Sequence, residues 1–391
     1  MTKILTIFGT RPEAIKMAPV VQEFRKHRAI EARVCVTAQH RQMLDQVLDL
    51  FEIAPDYDLN VMRPNQSLAD LTGSVLRGVD GVLAQFEPDW VLVHGDTTTT
   101  LAASISAFYR NIPVAHVEAG LRTANIHSPW PEEMNRRVTD AVSSLYLAPT
   151  ECARRNLLAE GVREAQIVVT GNTVIDALLK IVARLRGNED LRRALSARLP
   201  FLEESRPLIL VTGHRRENFG KKFLSFCVAL RRIAVERPAV QIVYAVHLNP
   251  QVQLPVRRIL SGLPNVFLIG PQDYLPFVYL MMCARVIVTD SGGIQEEAPA
   301  LGKPVLVTRD TTERPEAIEA GTARLVGTDT DSIVDAVTAL LDDPAEYARM
   351  ARAHNPYGDG LASERVLAAI QARLAGPGVR VPSTQPFEIV A

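Results

Sequence analysis

The sequence predicts an α/β protein made of two doubly wound domains with parallel sheets. Three observations carry that expectation. Short runs of aliphatic and β-branched residues alternate with helical patterns from Ile4 to Leu147. The rhythm breaks after about residue 171 and restarts at Leu208. A length of 391 residues suits two ordinary domains better than one. Strands separated by helices of this size require right-handed crossovers, hence parallel pairing. Two such domains are expected to face each other across a cleft, with ligands at the carboxyl ends of the strands.

The first series opens with a strand from Ile4 to Phe8 and a helix from Glu13 to Lys26, with Pro12 near its start, where proline is tolerated. A strand at Arg33 to Thr37 and a helix at Arg41 to Asp49 follow. Next come helix Leu68 to Gln85, strand Val91 to His94 and helix Thr98 to Tyr109. Strand Val114 to Val117, helix Glu132 to Val142 and strand Leu145 to Leu147 end the series. Two helical patterns then run to Pro200. The second series has strand Leu208 to Val211, helix Phe223 to Val235, strand Gln241 to Ala245 and helix Val252 to Leu260. Strands Val266 to Leu268, Val286 to Val288 and Val305 to Val307 complete it, with helices between. The expected bounds are 1–170 for the first domain and 171–359 for the second. A last helix, about 360–375, could pack back on the first domain. The tail 376–391, with three prolines and two glycines, reads as mobile.

Composition narrows the function. Hydrophobic residues make up 47% and charged ones 22%, the profile of a globular protein with sizeable cores. With 43 basic and 44 acidic residues, no surplus of positive charge is left for nucleic acid. Cys35, Cys152, Cys227 and Cys283 lie far apart without a C-x-x-C pair, so buried, reduced thiols are expected. The apolar run after Met1 is too short for a signal peptide, and no stretch is long enough to span a bilayer. A cytoplasmic protein without membrane contact is the expectation.

The most informative stretch is Thr289-Asp290-Ser291-Gly292-Gly293-Ile294-Gln295-Glu296-Glu297-Ala298. Adjacent glycines between a strand and a helix let backbone approach a ligand, and the helix start favours an anion. Glu297, about one turn in, could bond neighbouring hydroxyls of a ribose. The first strand ends in Gly9-Thr10-Arg11-Pro12-Glu13-Ala14-Ile15-Lys16, where G-x-G-x-x-G is absent. Arg11 and Lys16 suit a diphosphate better than a nicotinamide cofactor.

Two strand ends carry a matched pattern, His94-Gly95-Asp96 and His116-Val117-Glu118. A metal could sit among two His and two carboxylates, but the spacing is not diagnostic. The expected arrangement has the carboxylates facing substrate and the histidines held in hydrogen bonds, with Thr97 to Thr100 capping a helix. Glu132 and Arg136, four apart, share a helix face; they form a surface ion pair, or Glu132 joins Asp96 and Glu118 as a third acid of the first domain. In the second domain, Thr212-Gly213-His214-Arg215-Arg216 puts a histidine beside two arginines, where a protonated His214 could bond a departing phosphate. Arg314 adds another cation near a helix start.

Together, the segments Gly9 to Lys16, His94 to Thr100, His116 to Arg122, Pro131 to Arg136, Thr212 to Asn218, Thr289 to Ala298 and Asp310 to Glu316 resemble the bacterial non-hydrolysing UDP-N-acetylglucosamine 2-epimerases. The resemblance runs from residue 3 to about 373. It implies a glycosyltransferase-B-like fold, a homodimer, no metal and no cofactor, and supply of UDP-N-acetylmannosamine for cell-envelope polysaccharides. It also implies UDP contacts from Arg11, Gln272, Phe277, Ser291, Gly292, Gly293, Glu297 and Arg314. Lys16, Asp96, Glu118, Glu132, Arg136 and His214 would surround the sugar and its β-phosphate. Relatives bind a second sugar nucleotide as activator near positions matching Gln39, Gln42 and His247. Asn65 stands where some relatives have arginine.

Overall fold

The computed structural model describes residues 1–38, 41–63 and 65–374. The chain divides into two compact units, one of Met1–Ala177 with the chain from Tyr357 onward, the other of Leu178–Pro356.

The first unit begins with β1 (Thr2–Phe8), α1 (Arg11–Arg25), β2 (Ile30–Val36), α2 (Arg41–Leu50), β3 (Tyr57–Asp58) and α3 (Leu68–Phe86). It continues through β4 (Trp90–His94), α4 (Thr98–Tyr109), β5 (Val114–Val117) and α5 (Glu132–Val142). Then come β6 (Leu145–Ala148), α6 (Glu151–Ala159), β7 (Ile167–Val169) and the start of α7 (Thr173–Gly187). Its seven strands lie in the order β3-β2-β1-β4-β5-β6-β7, all parallel. Because helices cover both faces of a parallel sheet, its central strands are mainly apolar: Ile4, Leu5, Ile7, Phe8 and Val91 to Val93 are fully buried. Neither β3 nor the pair α6 and β7 was expected from pattern, since two- and three-residue strands carry too little periodicity.

The second unit holds α8 (Glu189–Ala197), β8 (Leu208–Val211), α9 (Lys221–Glu236), β9 (Gln241–Ala245), α10 (Pro250–Leu260) and β10 (Val266–Ile269). It continues with α11 (Tyr274–Cys283), β11 (Val286–Thr289), α12 (Gly292–Ala300), β12 (Val305–Val307) and α13 (Pro315–Glu319). β13 (Ala323–Leu325), α14 (Thr330–Asp342) and α15 (Pro344–Ala351) complete it. Its parallel sheet has the order β10-β9-β8-β11-β12-β13, with an apolar core in which α9, α10 and α14 cover one face.

Both sheets reverse direction of growth beside their first strand, between β1 and β4 and between β8 and β11. In doubly wound sheets that switch point opens a crevice at the carboxyl ends. The last helix, α16 (Ala362–Leu374), packs on α1 of the first unit. Asp176 anchors its start, accepting from the backbone N–H of Ala362 at 3.1 Å and of Ser363 at 2.7 Å. Cys35 and Cys227 are buried, Cys152 is half-buried and Cys283 is exposed. The expectation of buried thiols fails at Cys283, which sits at the C-terminal end of α11. Among the described residues no helix is long and apolar enough to cross a membrane. Residues 376–391 lie outside the described residues.

Candidate active site

In the first unit, the switch point is organised around a residue that pattern did not single out. Glu13, almost wholly buried, accepts from the N–H of Gly9 at 2.9 Å and of Thr10 at 2.8 Å. It also accepts from the hydroxyls of Thr97 at 2.6 Å and Thr100 at 3.1 Å. One carboxylate thus ties the starts of α1 and α4 together, fixing the loop that carries Arg11. The Thr10-x-x-Glu13 capping box was the available signal. Gly9 has no alternative, because a Cβ there would collide with the hydroxyls of Thr37 and Thr99.

The three acids are held in different ways. Asp96 follows Gly95, whose φ of 68° ends β4, and its carboxylate accepts from Arg136 Nη2 at 2.5 Å. Glu118 is bonded by the Lys16 ammonium, and its own φ is 67°. That left-handed backbone is uncommon for a residue with a Cβ and aims the side chain off the end of β5. Strand alternation therefore does not continue to either acid. Glu132 starts α5 with Oε2 buried and unbonded among the described residues. The pairing expected between Glu132 and Arg136 is replaced: Arg136 bridges Asp96 and the wholly buried Glu133, whose Oε2 lies 3.5 Å away. Asn135 completes the arrangement by donating to the Asp96 carbonyl at 2.8 Å.

The two histidines differ as well. His116 is fully bonded, to Asp140 at 2.6 Å and to the Gly95 carbonyl at 2.7 Å, as hydrogen-bonded histidines were expected to be. His94 departs from that expectation. Neither of its buried ring nitrogens makes a hydrogen bond among the described residues, and Nε2 lies 3.6 Å from Glu118 Oε2. The cause is topological: α5 brings Asp140 to β5, while the charged group nearest the β4 histidine among the described pairs is the Glu118 carboxylate.

In the second unit, buried Asp290 at the end of β11 accepts from the N–H of His214 and of Arg215, each at 2.8 Å, and so shapes the loop after β8. The His214 ring stacks on His247 with centroids 5.3 Å apart. Desolvation moves the His214 pKa below its ordinary value; Asp290 opposes this, while Arg215 and His247 reinforce it. The free imidazole is therefore mostly neutral near pH 7.

Ser291 caps α12 without a side-chain bond, so Gly292 and Gly293 present the first helical amides. Both glycines lie inside the helix rather than in a turn before it, so their value is space. A Cβ on Gly292 would stand 3.9 Å from Arg215 Nη2 and 4.0 Å from Arg314 Nη2. The helix start thus lies beside two guanidinium groups, an arrangement suited to a diphosphate. Arg314 is in turn held by buried Glu296, and its N–H donates to Thr312 Oγ1 at 3.1 Å. Glu313 faces Arg309 at 3.3 Å and Arg215 at 3.9 Å; burial raises its pKa, but these arginines and Arg314 hold it lower overall. Tyr274 donates to Glu297 Oε2 at 2.8 Å, fixing the carboxylate expected to meet the ribose. Gln272 donates to the Gly270 carbonyl at 2.8 Å, and Phe277 lies half-buried on α11. Gln39 and the side chain of Gln42 lie outside the described residues.

Residues 22–371 match the family model for UDP-N-acetylglucosamine 2-epimerase. A probable UDP-N-acetylglucosamine 2-epimerase of Ralstonia solanacearum is 61% identical over 375 residues, covering 96% of this chain and 100% of the relative. The UDP-N-acetylglucosamine 2-epimerase of Escherichia coli strain K12 is 60% identical over 369 residues, covering 94% of this chain and 98% of its own. The crystal structure of UDP-GlcNAc 2-epimerase from Neisseria meningitidis bound to UDP-GlcNAc superimposes with a TM-score of 0.89 at 53% identity, covering 95% of this chain and 100% of that one. With near-complete coverage at this identity and two parallel doubly wound sheets, the chain belongs to the UDP-N-acetylglucosamine 2-epimerase family.

Proposed function

We propose that this protein interconverts UDP-N-acetylglucosamine and UDP-N-acetylmannosamine without net hydrolysis. The observation that carries the reading is the set of three carboxylates in the first unit, two of them clamped by cations: Asp96 by Arg136 and Glu118 by Lys16. The sugar C2 proton is not next to a carbonyl, so direct removal would be prohibitively slow. Departure of UDP from C1 builds positive charge there and acidifies the C2 proton. The step then needs donors for the leaving diphosphate and a carboxylate base. In this reading the second unit holds UDP through Ser291, Gly292, Gly293, Glu297, Arg314, Gln272 and Phe277, with His214 and Arg11 on the phosphates. Asp96, Glu118 and Glu132 share proton removal and delivery on opposite faces of a 2-acetamidoglucal. Re-addition of UDP gives the epimer. A homodimer, activation by a second sugar nucleotide and supply of envelope polysaccharide belong to the same proposal.

The test is incubation of the pure protein with UDP-N-acetylglucosamine in D2O, followed by proton NMR. Deuterium at C2 of both UDP-sugars is expected, with little free sugar. Accumulation of UDP and free N-acetylmannosamine would instead establish a hydrolysing epimerase, and epimer without label at C2 would remove the carboxylate base.

A further inference from the structure

His116 is wholly buried, and both its ring nitrogens face acceptors. Nε2 lies 2.7 Å from the Gly95 carbonyl oxygen, which has no hydrogen to give, so Nε2 must donate. Nδ1 lies 2.6 Å from Oδ1 of Asp140, whose Oδ2 accepts from Arg122 Nη2 at 2.7 Å. Burial raises the Asp140 pKa, but the charges of its partners, among them the Arg122 guanidinium that is protonated whatever the state of His116, bring it below the usual carboxylate range. An ionised carboxylate only accepts, so Nδ1 must donate too. With both nitrogens protonated the ring is an imidazolium. The charges then alternate along one chain: His116 positive, Asp140 negative, Arg122 positive and Glu160 negative, with Arg122 Nη2 to Glu160 at 2.6 Å.

We propose that His116 is a positioning residue acting as a buried imidazolium, joining the turn that carries Asp96 to the helix that carries Glu132. At one end it holds the carbonyl just before Asp96, in a turn whose Gly95 N–H donates to the Val117 carbonyl at 3.0 Å. At the other it holds Asp140, which shares α5 with Glu132, Asn135 and Arg136. Glu118 follows His116 by two residues. One charged ring therefore sets the spacing of all three acids, and charge-assisted bonds do this more firmly than neutral ones. A neutral ring would serve only one of its two acceptors.

The role in catalysis rests on the proposed function; the charge state does not, and the experiment separates them. Nitrogen NMR of the whole protein labelled with 15N-histidine, assigned by loss of signal in His116→Asn, should show both His116 nitrogens protonated near neutral pH. One unprotonated nitrogen would overturn the proposal. Asp140→Asn keeps shape but removes the counter-charge. It should convert His116 to a neutral ring and lower kcat by about 30-fold, with KM for UDP-N-acetylglucosamine changed by less than about 3-fold. Unchanged kcat alongside a neutral ring would show that the charge positions nothing. If the wild-type chain does not epimerise at all, the proposed reaction falls while the NMR signal still decides the imidazolium.

Discussion

The two units carry similar ion pairs with the roles exchanged. In the first, the candidate reactive groups are acids and the cations hold them, Arg136 on Asp96 and Lys16 on Glu118. In the second, the candidate ligand-binding groups are cations and amides and the acids hold them, Glu296 on Arg314 and Asp290 on the His214–Arg215 backbone. The same fold, with the same strand order about its first strand, thus presents candidate acid/base groups in one copy and a candidate anion cradle in the other. The lesson is that a buried ion pair at a strand end does not reveal which partner faces the ligand. The neighbouring backbone does: uncapped helical amides mark the anion side.

Breaking this comparison first means testing whether chemistry and binding separate between the units. Glu118→Gln should lower kcat by about 10³-fold while UDP affinity stays within about 3-fold. Steady-state rates beside calorimetric titration with UDP check it, and a large loss of UDP affinity would erase the distinction. Gly292→Ala should do the reverse. The methyl has ordinary room beside Arg215 and Arg314, so thermal stability should hold, while UDP affinity falls by about 10-fold or more as the phosphates are kept off the amides. Tyr274→Phe removes one hydrogen bond to Glu297, worth about 1 kcal/mol, and should weaken UDP by about 5-fold with little change in kcat.

The smallest effect sharpens the second unit alone. The folded-state pKa of His214 is depressed, so the fold favours its neutral form. That contribution to stability is fully present above the unfolded value of about 6.5 and is lost as pH falls through the folded value. Melting temperatures of the wild type and His214→Gln, compared at about pH 7.5 and pH 5.5, should shift in favour of the variant at the lower pH. A gap that does not change with pH would mean that His214 titrates alike in both states.

Much of the site was legible because the first residues after an apolar parallel strand lie at its carboxyl end. Asp96, His214 and the helix start at Ser291 to Gly293 were found that way. Pairing was not legible. Arg136 looked like the partner of Glu132, four residues away, yet it bonds Asp96, 40 residues back in sequence, because α5 packs on α4, the helix that follows Asp96. The roles of Glu13, Asp140 and Asp290 were not legible because their partners are backbone amides or distant side chains, which leave no periodic trace.

From its sequence alone this chain determined two parallel α/β units, the glycine-rich helix start and which strand ends carry acids, since hydrophobic period and local backbone preference act over a few residues. Only the tertiary structure decided which cation holds which acid, why His116 is bonded and His94, among the described residues, is not, and where Glu118 points. Those follow from strand order, which sets β1, β4 and β5 side by side and brings Lys16 to an acid 102 residues away. Contacts between groups so far apart in the chain depend on the packing of whole elements, and no local pattern encodes them.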